Sequence, residues 1–208
     1  MKTALLASTY FGPVQWYQKL NRHGRVLLEQ HEHFLKQTYR NRCEIATTQG
    51  VQALTVPVEG GSKTVMKDIR ISEHGKWRTE HWNALCSAYG ESPFFEYYAD
   101  DIRPFFERRW TFLFDFNLEI TWKLCELLDL HPAIDLSPYY IKPLLGESLA
   151  ESGLADFREA IRPKHPMPDP TFLPRPYYQV YQRRQGFLPN LSILDLLFNM
   201  GNESILFL

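Results

Sequence analysis

Apolar and polar positions at the start of the chain predict a strand, a helix and a second strand. Thr3 to Ser8 is a short apolar run typical of a buried strand. Pro13 is well placed as the first residue of a helix, in which apolar positions recur at helical spacing as far as Leu20. Arg25 to Glu29 is the second strand. Such a βαβ unit implies parallel strands joined by a right-handed crossover.

The next segment predicts a β-hairpin and a further strand. The residues Asn41 to Ala46 and Val51 to Val58 have strand-like patterning, and Thr47-Thr48-Gln49-Gly50 forms the turn between them. After a Gly-containing loop, Asp68 to Ser72 alternates between polar and apolar residues and is predicted to be another strand.

The middle of the chain is predicted to be helical. Trp77 to Tyr89 carries an apolar stripe at helical spacing, and Thr111 to Leu128 is the clearest helix in the sequence. Between them, Phe94 to Arg109 is rich in aromatic residues and is interrupted by Pro104.

The last third of the chain is weakly patterned. Six of the fourteen prolines lie between Pro163 and Pro176, which indicates a stiff, extended segment. A final helix is predicted at Ser192 to Asn199, with Ser192 as N-cap and Gly201 as C-cap. The remaining predicted elements are a strand at Ala133–Leu136, a helix at Leu154–Ile161 and a strand at Tyr177–Tyr181.

These elements predict an α/β fold with a mostly parallel, Rossmann-like sheet. The βαβ unit begins the sheet, the β-hairpin is inserted into it, and the C-terminal half is helical. With 208 residues, 44% of them hydrophobic, we expect a single α/β domain. Its parts are residues 1–72 (βαβ plus hairpin), 73–130 (helical) and 131–208 (weakly patterned, with the Pro-rich segment and the C-terminal helix).

Composition and charge exclude several classes of partner. The 23 basic residues nearly balance the 24 acidic ones, so no global field favours nucleic acid or an anionic membrane. Cys43, Cys86 and Cys125 are widely spaced and odd in number, which fits a reducing compartment. No apolar run approaches the ~20 residues needed for a membrane span. We therefore expect a cytoplasmic protein that binds no nucleic acid and has no membrane span, and the oligomeric state stays open.

Candidate chemistry concentrates where the first two strands end. Ligands of a parallel sheet bind outside the carboxyl ends of its strands, and here those ends carry Thr9 and Tyr10 and the polar segment Glu29 to Arg42. We expect the helix beginning at Pro13 to direct free N–H groups at this crevice, which would suit a phosphate or carboxylate. The first loop lacks both GxGxxG and GxxxxGK[ST], so no standard nucleotide-binding motif is present.

The ionisable residues of this segment allow two interpretations each. His31 and His33 would point the same way on a strand and so could ligate a metal, but solvated or capping histidines are the simpler interpretation. The basic residues Lys36, Arg40 and Arg42 could clamp an anion, or form a solvated face paired with neighbouring glutamates.

Polar residues on the predicted helices also allow two interpretations each. His81 lies on an apolar stripe, where a core histidine that holds a backbone carbonyl is the default and a general base the alternative. Asp115 and Asn117, like Asp195 and Asn199, are either structural hydrogen-bonding groups or ligand contacts. Cys43, His81 and Asp115 could serve as the nucleophile, base and orienting group of a catalytic triad. A buried structural thiol is the better interpretation of Cys43.

Five collinear segments resemble the WbqC-like family: STYFGPVQWYQKL, HEHFLKQTYRNRCEI, LTVPVEGG, HWNALCSAYGESPFFEYY and YYQVYQRRQGFLPNLSILDLLFNMGNES. The family takes its name from a protein associated with O-antigen gene clusters, so the resemblance implies a setting in surface-polysaccharide biosynthesis without specifying a reaction. Many relatives carry a His-x-Pro-like start where this chain has Ser8-Thr9, and a further tyrosine motif where residues 137–176 are poorly patterned.

The resemblance assigns the family's motif positions to particular residues. They are Lys36, Asn41 and Arg42, then His81, then Asp115 and Asn117, then Tyr178 and Gln179, and finally Ser192, Asp195, Asn199 and Gly201.

Together, the residues and the resemblance predict an enzyme, specifically a transferase that acts on an activated, nucleotide-linked sugar. Its predicted catalytic residues are His81 and Asp115, and its cofactor is unknown. The predicted contacts to a small phosphate- or carboxylate-bearing substrate are Thr9, Tyr10, Lys36, Asn41, Arg42, Asn117, Tyr178 and Gln179. No metal site is predicted. The alternatives are a non-catalytic binding or assembly protein of the same pathway and a metal-dependent hydrolase that uses His31 and His33.

Overall fold

A four-stranded parallel sheet forms the centre of the structure, a computed structural model that describes residues 2–143 and 153–208. Its strands are β1 (Thr3–Ala7), β2 (Arg25–Glu29), β7 (Ala133–Leu136) and β8 (Leu154–Asp156), in the spatial order β7-β2-β1-β8. The central strand β1 buries Leu5 and Leu6 completely, and each such side chain contributes about 1.5–3 kcal/mol to folding. The predicted mixed α/β fold with a parallel sheet is confirmed.

Helix α1 (Val14–Arg22) makes the crossover between β1 and β2, as predicted. The indole N–H of Trp16 donates to the carbonyl of Ala7 at 2.9 Å and so fixes the helix against the end of β1. The side chains of Trp16, Tyr17 and Leu20 are fully buried, because the helical spacing directs them onto one side of the sheet.

The predicted hairpin is present as a separate antiparallel pair. Strand β3 (Arg42–Thr47) pairs with β4 (Gly50–Thr55), and Gly50 at the turn has φ of 110°, which favours glycine. Two further short strands, β5 (Val58–Glu59) and β6 (Arg70–Ile71), pair with each other, and a 3-10 helix at Met66–Asp68 lies between them in the chain. The alternation at Asp68 to Ser72 therefore produces a strand of only two paired residues.

Helices dominate the rest of the fold. They are α2 (Trp77–Tyr89), α3 (Phe95–Ile102), α4 (Pro104–Glu107) and α5 (Leu113–Leu127), followed by α6 (Gln182–Gln185), α7 (Ile193–Met200) and a 3-10 helix at Gly201–Phe207. Pro104 takes the first position of α4 and separates it from α3. Ser192 caps α7 as predicted, since its hydroxyl accepts from the amide of Leu194. None of the described helices has both the length and the apolar character needed to cross a membrane.

Two predicted elements are wrong. The segment Leu154–Ile161 is not a helix, because its first residues form edge strand β8 and the amide of Phe157 donates to the carbonyl of Leu5. The segment Tyr177–Tyr181 is not a strand. The side chains of Tyr177 and Gln179, two residues apart, both donate to the carboxylate of Asp195 and do not face a sheet.

Candidate functional site

The carboxyl edge of the parallel sheet contains a small cavity. Its volume is about 220 Å³, and the elements around it follow the ends of β2, β7 and β8. The lining residues are Glu32, His33, Leu35, Tyr140, Pro143, Asp156, Arg158 and Glu159. This is the edge at which parallel sheets bind their ligands.

Glu29, the last residue of β2, is completely buried and holds this edge together. Its carboxylate accepts hydrogen bonds from the hydroxyl of Ser137 at 2.8 Å and from the amides of His31 and Ile141 at 2.7 Å. The guanidinium of Arg158 lies 3.7 Å away. Both carboxylate oxygens accept hydrogen bonds from the loops after β2 and β7, so Glu29 holds these loops in position.

Arg158 is a second organising side chain, and it is 5% exposed. It forms a two-pronged ion pair with Asp156, in which Nε donates to Oδ1 at 2.9 Å and Nη2 to Oδ2 at 2.6 Å. Nη1 also donates to the carbonyl of Ile141 at 2.9 Å. The fork of this arginine therefore connects the end of β8 to the loop after β7.

Glu32 differs from these groups because, among the described residues, only one of its two carboxylate oxygens has a partner. Nε and Nη2 of the buried Arg40 both approach Oε1, at 2.8 and 2.7 Å. No hydrogen bond from the described residues reaches Oε2. Burial raises the pKa of Glu32, and the nearby guanidinium of Arg40 offsets this effect only in part. A cavity carboxyl with a raised pKa is a candidate for proton transfer.

The motif residues Asn41 and Asn117 lie directly behind this pair. Asn117 donates to the carbonyl of Arg40 at 2.7 Å and lies 3.4 Å from the hydroxyl of Ser8. Asn41 donates to the carbonyl of Val56 at 2.8 Å. These contacts fix the backbone at Arg40 and Asn41, and the side chain of Arg40 in turn holds Glu32.

Tyr10 and His81 are also brought together, but away from any opening. The hydroxyl of Tyr10 and Nδ1 of His81 form a hydrogen bond of 2.9 Å, and the ring also hydrogen-bonds to the backbone of Thr55. Burial lowers the pKa of His81 to about 4. The imidazole is therefore neutral near pH 7, and its contacts are those of the core-histidine interpretation.

The other predicted site residues have separate surroundings. Arg42 pairs with Glu44 at 3.3 Å, and Gln179 is buried against Asp195. Thr9 is buried, and its hydroxyl has no partner among the described residues. Three more are exposed and make no side-chain hydrogen bond or ion pair within residues 2–143 and 153–208: Lys36, Asp115 and Tyr178.

Two structural premises of the predicted site are wrong. The amides of Val14 and Gln15 are not free at the start of α1, because they donate to the carbonyl of Leu191 and to Oδ1 of Asn190, both at 2.9 Å. Strand β2 ends at Glu29, so His31 and His33 lie beyond it and do not share a strand face. No three His, Cys, Asp or Glu side chains in the described part of the chain are arranged to hold a metal ion.

His33 is the one residue of the cavity lining that the sequence singles out, as a possible metal ligand. Glu32 was considered only as a partner for basic neighbours, although it follows the end of a predicted strand. Asp156 and Arg158 lie in a segment for which the sequence pattern predicts a helix. Recognising β8 as a strand would have placed both of them at the carboxyl edge of the sheet.

Comparison with known proteins identifies the family. The WbqC-like protein family matches residues 8–152, which is more than half of the chain. The chain belongs to the WbqC-like family. The chain is also similar to the uncharacterized protein Rv1507c of Mycobacterium tuberculosis, with 26% identity over 224 residues that cover 98% of this chain and 95% of that protein. No solved structure matches. Glu32, Arg40 and Asn117 lie within the region that matches the WbqC-like family, whereas Asp156 and Arg158 follow it.

Proposed function

We propose that this WbqC-like protein is an enzyme in which Glu32 transfers a proton at the carboxyl edge of the parallel sheet. One observation carries the proposal: a buried carboxyl with a raised pKa lines the cavity and keeps one oxygen free of hydrogen bonds from the described residues. General acid–base catalysis is most efficient when the pKa of the catalytic group lies near the working pH, and burial moves the pKa of Glu32 in that direction.

The surrounding residues support this role by restricting the motion of Glu32. Arg40 holds Oε1 from two nitrogens, and Asn117 fixes the carbonyl of Arg40. Glu29 and Arg158 tie the neighbouring loops to the sheet. A proton-transfer group held in this way needs little reorganisation when the substrate reacts.

The proposed reaction is transfer of an acyl group to an activated sugar. The hydroxyl or amine of a nucleotide-linked sugar attacks the acyl carbon of an activated donor, and a C–O or C–N bond forms. Glu32 takes the proton from the attacking atom, and the leaving group of the donor departs with the electron pair of the broken bond. The family resemblance supports a setting in surface-polysaccharide biosynthesis.

Lys36 is proposed to bind the phosphates of the substrate. It follows Leu35, which lines the cavity, and its ammonium is exposed without an ion pair among the described residues. An ammonium on a flexible side chain can reach a phosphate at the rim of the site.

Titration calorimetry with a panel of nucleotide sugars tests this proposal. We expect Lys36→Ala to weaken binding about tenfold, whereas Lys76→Ala, at an exposed lysine that does not line the cavity, leaves binding unchanged. With a reacting donor, Glu32→Gln should retain binding and lower turnover by a factor of about 10²–10⁴. Thermal melts verify that each variant is folded. Absence of binding across the panel, or unchanged turnover in Glu32→Gln, would refute the proposal.

A second candidate is a non-catalytic binding protein of the same pathway. The observation that favours it is the mutual pairing of charges at the sheet edge, where Arg158 is fully engaged by Asp156 and backbone carbonyls. This candidate predicts that Glu32→Gln alters stability and binding without affecting any chemical step.

A further inference from the structure

A second groove lies between helices α3 and α4 on one side and α5 on the other. Its volume is about 380 Å³, within the range of roughly 300–1,000 Å³ that small-molecule sites occupy. It shares no lining residue with the cavity at the sheet edge. The groove is therefore a separate candidate binding site.

An aromatic surface forms one part of this groove. Trp122 on α5 is 42% exposed, although tryptophan is usually highly buried, and its ring contacts no other aromatic ring among the described residues. Trp110 stacks on Phe105, with ring centroids 6.2 Å apart and an angle of 20° between the planes. Both of these rings also line the groove.

Hydrogen-bond acceptors and hydrogen-bond donors both surround the aromatic surface. Glu119 and Glu126 lie three residues before and four after Trp122, so they share its face of α5. Lys123 pairs with Asp101 at 3.5 Å and with Glu126 at 2.8 Å. The carboxylate of Glu119 has no ion pair in the described part of the chain.

An unpaired donor also lies at the groove. The guanidinium of Arg108 lines it, is exposed and forms no ion pair within residues 2–143 and 153–208. A ligand that supplies acceptor oxygens can therefore accept hydrogen bonds from Arg108.

We propose that this groove binds a neutral sugar or a related ring polyol. Such a ring has an apolar C–H face that fits the exposed indole of Trp122, and its hydroxyls both donate and accept hydrogen bonds. A charged ligand, whether a cation or an anion, fits the groove less well than a neutral ring. The four carboxylates of the lining, Asp100, Asp101, Glu119 and Glu126, oppose an anion, and the cationic groups of Arg108 and Lys123 weaken the attraction of these carboxylates for a cation. This inference does not depend on the function proposed for the sheet edge.

Saturation-transfer NMR and tryptophan fluorescence with a panel of methyl glycosides test the inference on the full chain. We expect Trp122→Ala to weaken binding about tenfold, Trp122→Phe to recover part of it, and Glu119→Gln to weaken it without changing the fold. Tyr97→Ala is the matched control, because Tyr97 is 72% exposed on α3 but does not line the groove. The probes lack phosphate, so Lys36→Ala should not affect them.

Three results would overturn the assignment. The first is the absence of a saturable signal with any glycoside at about 50 mM, where even affinities weaker than millimolar are detected. The second is binding that Trp122→Ala and Glu119→Gln leave unchanged. The third is tighter binding of tetramethylammonium than of every glycoside, which would indicate a cation site formed by the aromatic rings and carboxylates.

Discussion

At the scale of single residues, burial moves the pKa values of His81 and Glu32 in opposite directions. It lowers the pKa of the imidazole to about 4 and raises the pKa of the carboxyl, because the charged form is disfavoured in both cases. His81 is therefore neutral near pH 7, while proton exchange at Glu32 moves closer to that pH. This contrast is why the proposed proton transfer rests on Glu32.

The low pKa of His81 predicts a loss of stability in acid. The unfolded chain, with a histidine pKa near 6.5, binds this proton before the folded chain does, so stability is complete above about pH 6.5 and falls as the pH drops toward 4. A shift of this size corresponds to about 3 kcal/mol. Urea denaturation between pH 4 and 7.5 measures it.

Two variants provide the comparison for this pH series. His81→Gln should be less stable at pH 7 but should lose less stability between pH 6.5 and 4. His131→Gln, at a histidine whose side chain is 83% exposed, should follow the wild-type curve. Identical pH slopes for His81→Gln and the wild type would contradict the assignment.

At the scale of elements, the N-terminus of α1 is capped from the far end of the chain. Asn190 accepts from the amide of Gln15 through Oδ1, and its amide group donates back to the side chain of Gln15 at 3.1 Å. Asn190 itself has φ of 55°, a left-handed conformation. One residue thus supplies both a helix cap and an unusual backbone conformation.

Two substitutions at Asn190 separate these contributions. Asn190→Gly should lose the cap alone, at a cost of about 1 kcal/mol. Asn190→Ala should lose the cap and also strain the backbone, which adds roughly 1–2 kcal/mol. The free energy of unfolding from urea titration measures both. Equal stability of the two variants would show that backbone strain contributes nothing here.

The Pro-rich segment is attached to α1 by a buried ion pair. Nζ of Lys19 lies 2.6 Å from Asp169, and the two side chains are 1% and 4% exposed. Lys19 also donates to the hydroxyl of Thr171 at 2.8 Å. An ion pair in this position can fix a segment that has no secondary structure of its own.

Removal of one partner should release that segment. Lys19→Met leaves the carboxylate of Asp169 without an ion-pair partner, at a cost of about 3 kcal/mol, the lower end for a buried pair because Gln15 and Thr171 still donate to that carboxylate. Limited proteolysis should then cleave faster between residues 163 and 176, and Lys19→Met/Asp169→Leu should recover part of the lost stability. Arg25→Met is the control, since its ion pair with Asp135 is largely exposed. Unchanged proteolysis in Lys19→Met would exclude the anchoring role.

At the scale of the whole molecule, the C-terminal segment joins regions from the start of the chain. The amide of Ser192 donates to the carbonyl of Glu44, and the amide of Ile193 to that of Gly12, both at 2.8 Å. The hydroxyl of Ser192 donates to the carbonyl of Phe11. Helix α7 therefore completes the packing of α1 and the hairpin.

This arrangement predicts that residues 1–208 unfold as one unit. Tryptophan fluorescence and far-ultraviolet circular dichroism should give the same midpoint in urea. A chain that ends at residue 189 should lose this cooperative transition, because the amides of Val14 and Gln15 would lose their acceptors. Separate midpoints for the two probes in the full chain would contradict a single domain.

Elements with strong local patterns could be predicted from sequence alone. Helix α2 at Trp77–Tyr89 and strand β7 at Ala133–Leu136 lie at their predicted bounds, and α7 begins after its predicted cap at Ser192. The βαβ unit follows equally from local periodicity. These elements are set by the spacing of apolar side chains and by caps within a few residues, which the sequence displays directly.

The tertiary structure alone decided the remaining features, because they depend on contacts between residues far apart in the chain. Leu154–Asp156 becomes a strand only when it pairs with β1, and this pairing brings Asp156 and Arg158 to the sheet edge beside Glu32. Likewise, only burial beside Tyr10 determines the protonation of His81. The sequence by itself determined the α/β class and the family; folding determined which ionisable groups are paired, buried or free, since desolvation and pairing arise only in the packed state.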